Sequence, residues 1–491
     1  MFNLSKQLYF NVFTGLFIFG LSFYMIRDAA GTMNILFIIS FILAGFLLSF
    51  FDLSISYKLL VFLIPLSVKF TFPNSTATIL LPSEFLTGLL AIAFCFSYFF
   101  KVPVIDKQFL KHPLTILIVF YVFFLIISAA FSGMPIVSLK AVIVKTTYMI
   151  VFYFLTYMVL KKDALIGSSF FVIYGMALIP VIMFTLMNHS IYGFSKDTSN
   201  TATLPFFSDH TIYSACISFI IPPLIIHLIF SKSLRLSRVK IILFSILILW
   251  LCVGVFFSYC RASWLSLAAG GLFCIMILMR IKIKWLIILF LSASLFTIFN
   301  RNHIVSVIKQ NKSDSNAKNA DLIQQTKSIA NITNDLSNAE RINRWSCAVR
   351  MFCDKPYTGF GIGTYQFEYL HYQRKKEMTS LSVNSPYNNK SGRGGSAHSE
   401  YLLVLSESGV FAFLSFIGII LSALYIGMKT YYGRDSQNSR IVSLMALSGL
   451  VTYLSHSLFN NFLDVDKAAF LFWSSLSMLT AASISMKQSA S

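Results

Sequence analysis

Ile241-Ile-Leu-Phe-Ser-Ile-Leu-Ile-Leu-Trp250-Leu-Cys-Val-Gly-Val-Phe-Phe257 runs straight into Ser258-Tyr-Cys-Arg261-Ala-Ser-Trp-Leu265 and then into a second apolar run. A helix needs roughly 20 apolar residues to cross the hydrocarbon core of a bilayer, so this stretch reads as one spanning helix, a tight polar turn and the start of another. Such runs recur along the chain. They are continuously apolar and lack the period-two alternation of barrel strands, which argues against a transmembrane β-barrel. Of 491 residues, 56% are hydrophobic and 12% charged, against about 25% charged in soluble domains. The expected class is an all-α polytopic membrane protein.

About fourteen candidate spans follow from the same reading, at 8–26, 33–51, 57–72, 81–100, 114–132, 139–160, 166–187, 211–231, 240–258, 262–279, 283–299, 399–427, 441–458 and 467–486. The weakest is 57–72, short and flanked by Lys58 and Lys69. Basic residues gather in alternate loops: Lys101, Lys107 and Lys111; Lys161 and Lys162; Lys232, Arg235, Arg238 and Lys240; Arg280, Lys282 and Lys284; Lys429, Arg434 and Arg440. The positive-inside rule makes those loops cytoplasmic, along with both termini. The formal net charge of +20 is thereby accounted for without nucleic acid. No small-residue cleavage site follows the first apolar run, so that run reads as an anchor and not a removable signal. The seven cysteines form no disulfide framework, and no Cys/His cluster has zinc spacing.

The expected organisation is a bundle of about eleven spans over 1–299, a periplasmic loop domain over 300–397, and about three C-terminal spans over 398–491. Within the polar loop, residues 302–335 are Gln-, Asn-, Ser- and Lys-rich and read as flexible. Ser337-Asn-Ala-Glu340 then reads as a capping box that starts a helix of about four turns. That helix carries Arg341, Arg344 and Trp345 and stops at Asp354-Lys-Pro356. Gly359-Phe-Gly361-Ile-Gly363 follows, then a second helix from Tyr365 to Lys376, and a Gly-rich hinge at 391–396 leading into His398.

His398 lies where a long helix enters the membrane. An imidazole there can take a proton from an acceptor hydroxyl; the plain alternative is an ordinary interfacial histidine. Glu400 and Glu407 in the next two turns favour a site, because charges inside a membrane helix are costly and face protein or a cavity. Arg261 sits at a tight turn on the side depleted of basic residues. A phosphate partner explains it, since a guanidinium forks two hydrogen bonds onto phosphate, and snorkelling is the alternative. Arg341 and Arg344 alone read as a solvated basic face, but the loop's excess of Lys and Arg would attract anionic headgroups. Asp209-His210 is a further candidate pair, as is Asp464 with Asp466 near Asn460 and Asn461. Lys145, inside a span, needs an acid or a cavity. The glycine-rich stretch lacks the strand before it and the Gly-Lys-Ser/Thr after it that a nucleotide loop requires. No Asp-Xaa-Asp is placed to hold a divalent metal on a sugar pyrophosphate, so arginines would have to meet leaving-group charge. No metal or cofactor is expected.

Over roughly 205–475 the chain resembles the O-antigen ligase family, which also includes O-antigen polymerases and bacterial O-oligosaccharyltransferases. The carriers are His398-Ser399 followed after nine residues by Gly409-Val-Phe-Ala412, where the family has Gly at the last position. Cys260-Arg261-Ala-Ser-Trp264-Leu265, Arg341 to Trp345, and Pro356-Tyr-Thr-Gly359-Phe-Gly361-Ile-Gly363 add to it, with Asp209-His210 at the start of a span. The resemblance implies a GT-C-like membrane glycosyltransferase of the bacterial inner membrane, working on the periplasmic side without metal and with inversion. It implies an undecaprenyl-diphosphate-linked glycan as donor and a lipid A-core sugar or a growing glycan as acceptor. His398, Arg261 and Arg341 would be catalytic. Arg344, Trp345, Asp209, His210, Ser399 and Tyr365 would lie on the substrate side. Ligase is the favoured expectation, polymerase the next. A flippase would instead string its charges through the bilayer midplane.

Overall fold

A computed structural model describes residues 53–71, 78–99, 105–161, 163–281, 292, 336–377, 395–433 and 436–490. The expected spans at 8–26, 33–51 and 283–299, and the loop at 302–335, lie outside the described residues. The chain is mostly helical. Its principal elements are α1 (Leu53–Leu63), β1 (Val68–Thr71), β2 (Thr78–Leu81), α2 (Ser83–Phe99), α3 (Pro113–Ala130), α4 (Pro135–Leu160), α5 (Ile166–Ile191) and α6 (His210–Ile229). They continue with α7 (Arg238–Phe257), α8 (Arg261–Leu278), α9 (Leu336–Asp354), α10 (Glu400–Tyr432), α11 (Gln437–His456) and α12 (Asp466–Ala490). Among the described residues eight helices are long and apolar enough to cross a membrane: α3 to α8, α10 and α12.

Burial sorts the helices into layers. α6 and α12 are enclosed almost all round and form the centre, whereas α7 and α8 turn most of their apolar surface outward. A helix apolar on every side is stable in either setting, buried in protein or facing lipid. α11 packs on α6, α8 and α12, and α3 packs along α10. α11 is rich in serine, and the Ser443, Ser448 and Ser455 hydroxyls find helix carbonyls, Ser443 that of Gly427 of α10 at 2.8 Å. Buried polar groups satisfied in this way carry little penalty.

The expected span at 57–72 is corrected. α1 ends at Leu63, a turn through Pro65 follows, and β1 and β2 pair antiparallel with Val68 opposite Leu81. Proline lacks the N–H that helix continuation needs. The turn's free carbonyls are met by Lys467 of α12, whose ammonium donates to Pro65 O at 3.2 Å, to Ser67 O at 2.8 Å and to Phe206 O. The loop helices also differ from expectation. α9 already includes Leu336 and Ser337, and the Glu340 carboxylate pairs with Arg344 at 2.8 Å. In place of one helix from Tyr365 to Lys376 there is a single turn, Tyr365–Glu368, followed by 3-10 turns. Arg350 pins those turns to α9 through Tyr372 O and the Glu377 carboxylate, at 2.6 and 2.5 Å.

The α9 segment and the turns at 131–134, 192–209, 258–260 and 457–465 meet at one end of the bundle. Ser132 donates to Phe360 O at 3.2 Å and Tyr259 to Phe194 O at 2.8 Å, while Glu400 N–H donates to Ser457 O at 3.0 Å. The other end carries the basic turns.

Candidate functional site

α10 is not one continuous helix. Gly409 stands at φ 75° and ψ −177° within it, a conformation essentially restricted to glycine. The break strands carbonyls and an N–H that the helix would otherwise pair. The glycine-rich segment takes them up. Phe360 N–H donates to Ser406 O at 3.2 Å, Gly361 N–H to Glu407 O at 2.9 Å, and Val410 N–H donates to Pro356 O at 2.8 Å. Ser128 of α3 adds a second donor to Glu407 O at 2.9 Å, and the Glu407 carboxylate accepts from Tyr365 N–H at 2.9 Å. A Cβ on Gly359 or Gly409 would fall inside the opposing backbone. The glycines thus permit two backbones to lie against each other, and the segment is a docking strip for the broken helix.

His398 immediately precedes this helix at φ 51°, in the left-handed region that histidine enters more readily than most residues. It is held there from α9. Trp345 Nε1 donates to His398 O at 3.1 Å, and Arg344 Nη1 donates to Ser396 O at 3.1 Å. Arg344 is itself fixed by Glu340 and lies over the Tyr369 ring at 5.0 Å. Tyr365 is buried, its hydroxyl donating to Arg344 O at 2.8 Å. Ser399 is buried at the N-cap of α10 and makes no side-chain cap bond. Arg341 and Trp345 are one turn apart on α9 and share a face. That geometry explains the Arg-x-x-x-Trp spacing: one residue for charge, the other for the His398 main chain.

Burial foremost, then the guanidinium groups of Arg344 and Arg341, push the His398 imidazole down from its usual 6.5 to about 4. It is neutral at pH 7 and has a lone pair to accept a proton. Arg341 also lies within electrostatic reach of His210 and His456, and Asp209 within reach of His210, His398 and His456. Asp209 caps α6, accepting from Thr211 and Ile212 N–H at 2.8 and 3.0 Å, and His210 Nδ1 is 3.3 Å from Asn200 Oδ1. Arg261 is the first residue of α8. Its neighbour Cys260 is 3.9 Å from His456 Nε2. Arg341 and Asp209 therefore lie within electrostatic reach of both His398 and His456, and Arg261 follows Cys260, which touches His456.

His456 was not singled out from sequence. It ends an apolar helix and is fully buried, and the only sequence signal is a lone histidine on the same membrane side as His398. Asp464 and Asp466 part company: Asp464 pairs with Lys145 at 2.8 Å, while Asp466 accepts from Ser83. Among the described residues no group of three or more His, Cys, Asp or Glu could hold a metal ion.

The comparison with curated proteins finds no match. Residues 246–417 match the family model described as O-antigen ligase. The matched stretch contains Arg261, Arg341, His398 and the Gly409 break, and leaves Asp209, His210 and His456 on either side. Over this segment, about a third of its length, the chain is similar to the O-antigen ligase family, and among the described residues it carries eight helices long and apolar enough to cross a membrane.

Proposed function

We propose that the protein transfers a glycan from undecaprenyl diphosphate to a sugar hydroxyl of a lipid A core, on the periplasmic face of the inner membrane. The observation that carries this reading is the neutral His398, held at a strained backbone position within reach of Arg341 and Asp209. In the step proposed, the acceptor hydroxyl oxygen attacks the anomeric carbon and its proton passes to His398. The bond from that carbon to the diphosphate breaks with inversion. Undecaprenyl diphosphate leaves with its charge met by Arg261 and Arg341, and the imidazolium returns its proton to water.

Forked guanidinium contacts to phosphate oxygens suit this role because they strengthen as leaving-group charge develops. Arg344, Trp345 and Tyr365 act as positioning residues, since their polar atoms hold the His398 loop and one another. Ser399 and His210 complete the substrate side, and Asp209 orients the histidines beside it. The basic turns at the opposite end agree with a cytoplasmic location there.

The test is purified protein in nanodiscs with undecaprenyl-diphosphate glycan and a lipid A-core acceptor, with and without EDTA. Glycosylated acceptor and released undecaprenyl diphosphate are expected in both conditions, and neither from His398→Ala, which still binds donor. Donor moved across the bilayer without cleavage would overturn the transferase reading, and product made only from glycan acceptors would reassign it to polymerisation.

A further inference from the structure

A cavity between α4, the 363–367 segment and Asp464 enters none of the steps above. It has a volume of about 460 Å³, within the ~300–1,000 Å³ range of small-molecule sites. Val137 and Val144 of α4 form an aliphatic wall, Phe367 supplies an aromatic ring, and Lys140 stands at the exposed rim. The Lys145–Asp464 ion pair and Gln366 provide its other polar groups. Lys145 is only 8% exposed, whereas Asp464 is 49% exposed. The pair therefore presents a fixed carboxylate to an entering molecule.

This mixture has a specific chemical match. A pyranose ring has apolar C–H faces that pack on aromatic and aliphatic surfaces, and a rim of hydroxyls that both donate and accept. Lysine only donates, ionised aspartate only accepts, and an amide does both. A wall with all three beside an aromatic ring suits a sugar better than a lipid tail, which would leave the ion pair desolvated and unmet.

Glu400 connects the cavity's ion pair to the His398 segment. His398 and Glu400 are two residues apart and face different neighbours. His398 lies within electrostatic reach of Arg341 and Asp209, and Glu400 within reach of Lys145 and Asp464. Glu400 also accepts from Phe462 and Leu463 N–H at 3.0 and 3.3 Å, which ties down the loop that bears Asp464. An inverting displacement brings its nucleophile from the side opposite the leaving group. The diphosphate is assigned above to Arg261 and Arg341, neither of which lines this cavity, so the cavity is left for the acceptor.

We propose that this cavity binds pyranose units of the acceptor glycan and so sets acceptor choice. The assignment rests on the transferase reading above and deepens it. The experiment measures KM for donor and acceptor separately in nanodiscs for Gln366→Ala, Phe367→Ala and Lys140→Gln. The first two are expected to raise acceptor KM at least tenfold and the third severalfold, with donor KM unchanged within twofold. Lys140 is at the exposed rim, so its variant keeps the test open if Phe367→Ala does not fold. A rise in donor KM alone, or no change in either, overturns the assignment.

A parallel arm uses short oligosaccharides released by mild acid from the strain's envelope glycans, with saturation-transfer NMR on the full chain. Binding to the native chain that Gln366→Ala loses supports the cavity even if no glycan is transferred, in which case only the transferase reading fails. Transfer with native acceptor KM in all three variants leaves that reading standing and removes the cavity.

Discussion

Replacing Gly409 with alanine tests the junction on which His398's helix depends. At φ 75° and ψ −177° an L-residue is strained by about 1–3 kcal/mol. The added Cβ would also fall inside the Tyr357 carbonyl and beside Thr358 N. Neither is a flexible side-chain end, so the overpacking adds about 1–3 kcal/mol. The entropy lost by the unfolded chain returns about 0.4–1 kcal/mol. The net is on the order of 3 kcal/mol, and the cheapest release is local: the strip around 356–363 lifts from the broken helix. Hydrogen exchange reads this directly. At about 1.4 kcal/mol per decade, the Gly361 and Val410 amides should exchange roughly a hundredfold faster, while α6 amides keep their protection. Gly271→Ala is the control, because a Cβ there meets nothing within 4 Å and alanine favours a helix by about 0.5–1 kcal/mol. If Gly409→Ala leaves both amides as protected as in the native chain, the strip does not hold the break together and the account of α10 is wrong.

Four further outcomes follow. With His398 at about 4, kcat/KM should stay flat from pH 7 down to about 5 and fall only below that; an acid limb centred at or above 6.5 would refute the buried neutral base. The same shift means His398's contribution to stability is full above the unfolded value near 6.5 and is lost, by about 3 kcal/mol, as pH falls through that window to 4; pH-dependent melts of His398→Gln should show a correspondingly shallower decline. Trp345→Phe removes the donor to His398 O at about 1 kcal/mol of stability; it should lower kcat about tenfold with donor KM unchanged, and an unaltered kcat would deny Trp345 a positioning role. Arg341→Lys keeps the charge but loses the fork, so donor use should stay at least tenfold below native, and full recovery would show that charge alone suffices.

Hydropathy made the long helices of the bundle legible, because continuous apolar runs of that length have few other outcomes. It misread 57–72, since Pro65 and the β-branched residues after it carry a turn and a hairpin that a window average blurs. Motif spacing singles out Arg261, Arg341 and His398; the structure puts Arg341 within electrostatic reach of His398 and His456, and sets Cys260, next to Arg261, against His456. His456 itself was invisible because one histidine at a helix end has no pattern. The break at Gly409 was also hidden: Glu-Ser-Gly continues a helix well enough, and only the partner strip some fifty residues earlier makes the kink stable. The Lys145–Asp464 pair was half legible, as a buried lysine demands an acid, but nothing local names which one.

Lys467 ties the last helix to segments made much earlier in the chain, at Pro65, Ser67 and Phe206. Until α12 is in place, those carbonyls lack the buried ammonium that meets them, and a buried carbonyl left unpaired is costly. Biogenesis therefore has a built-in completion signal: a nascent chain stopped before residue 467 leaves its early turns unsealed, and such truncated products should be cleared by membrane proteases while the finished protein persists.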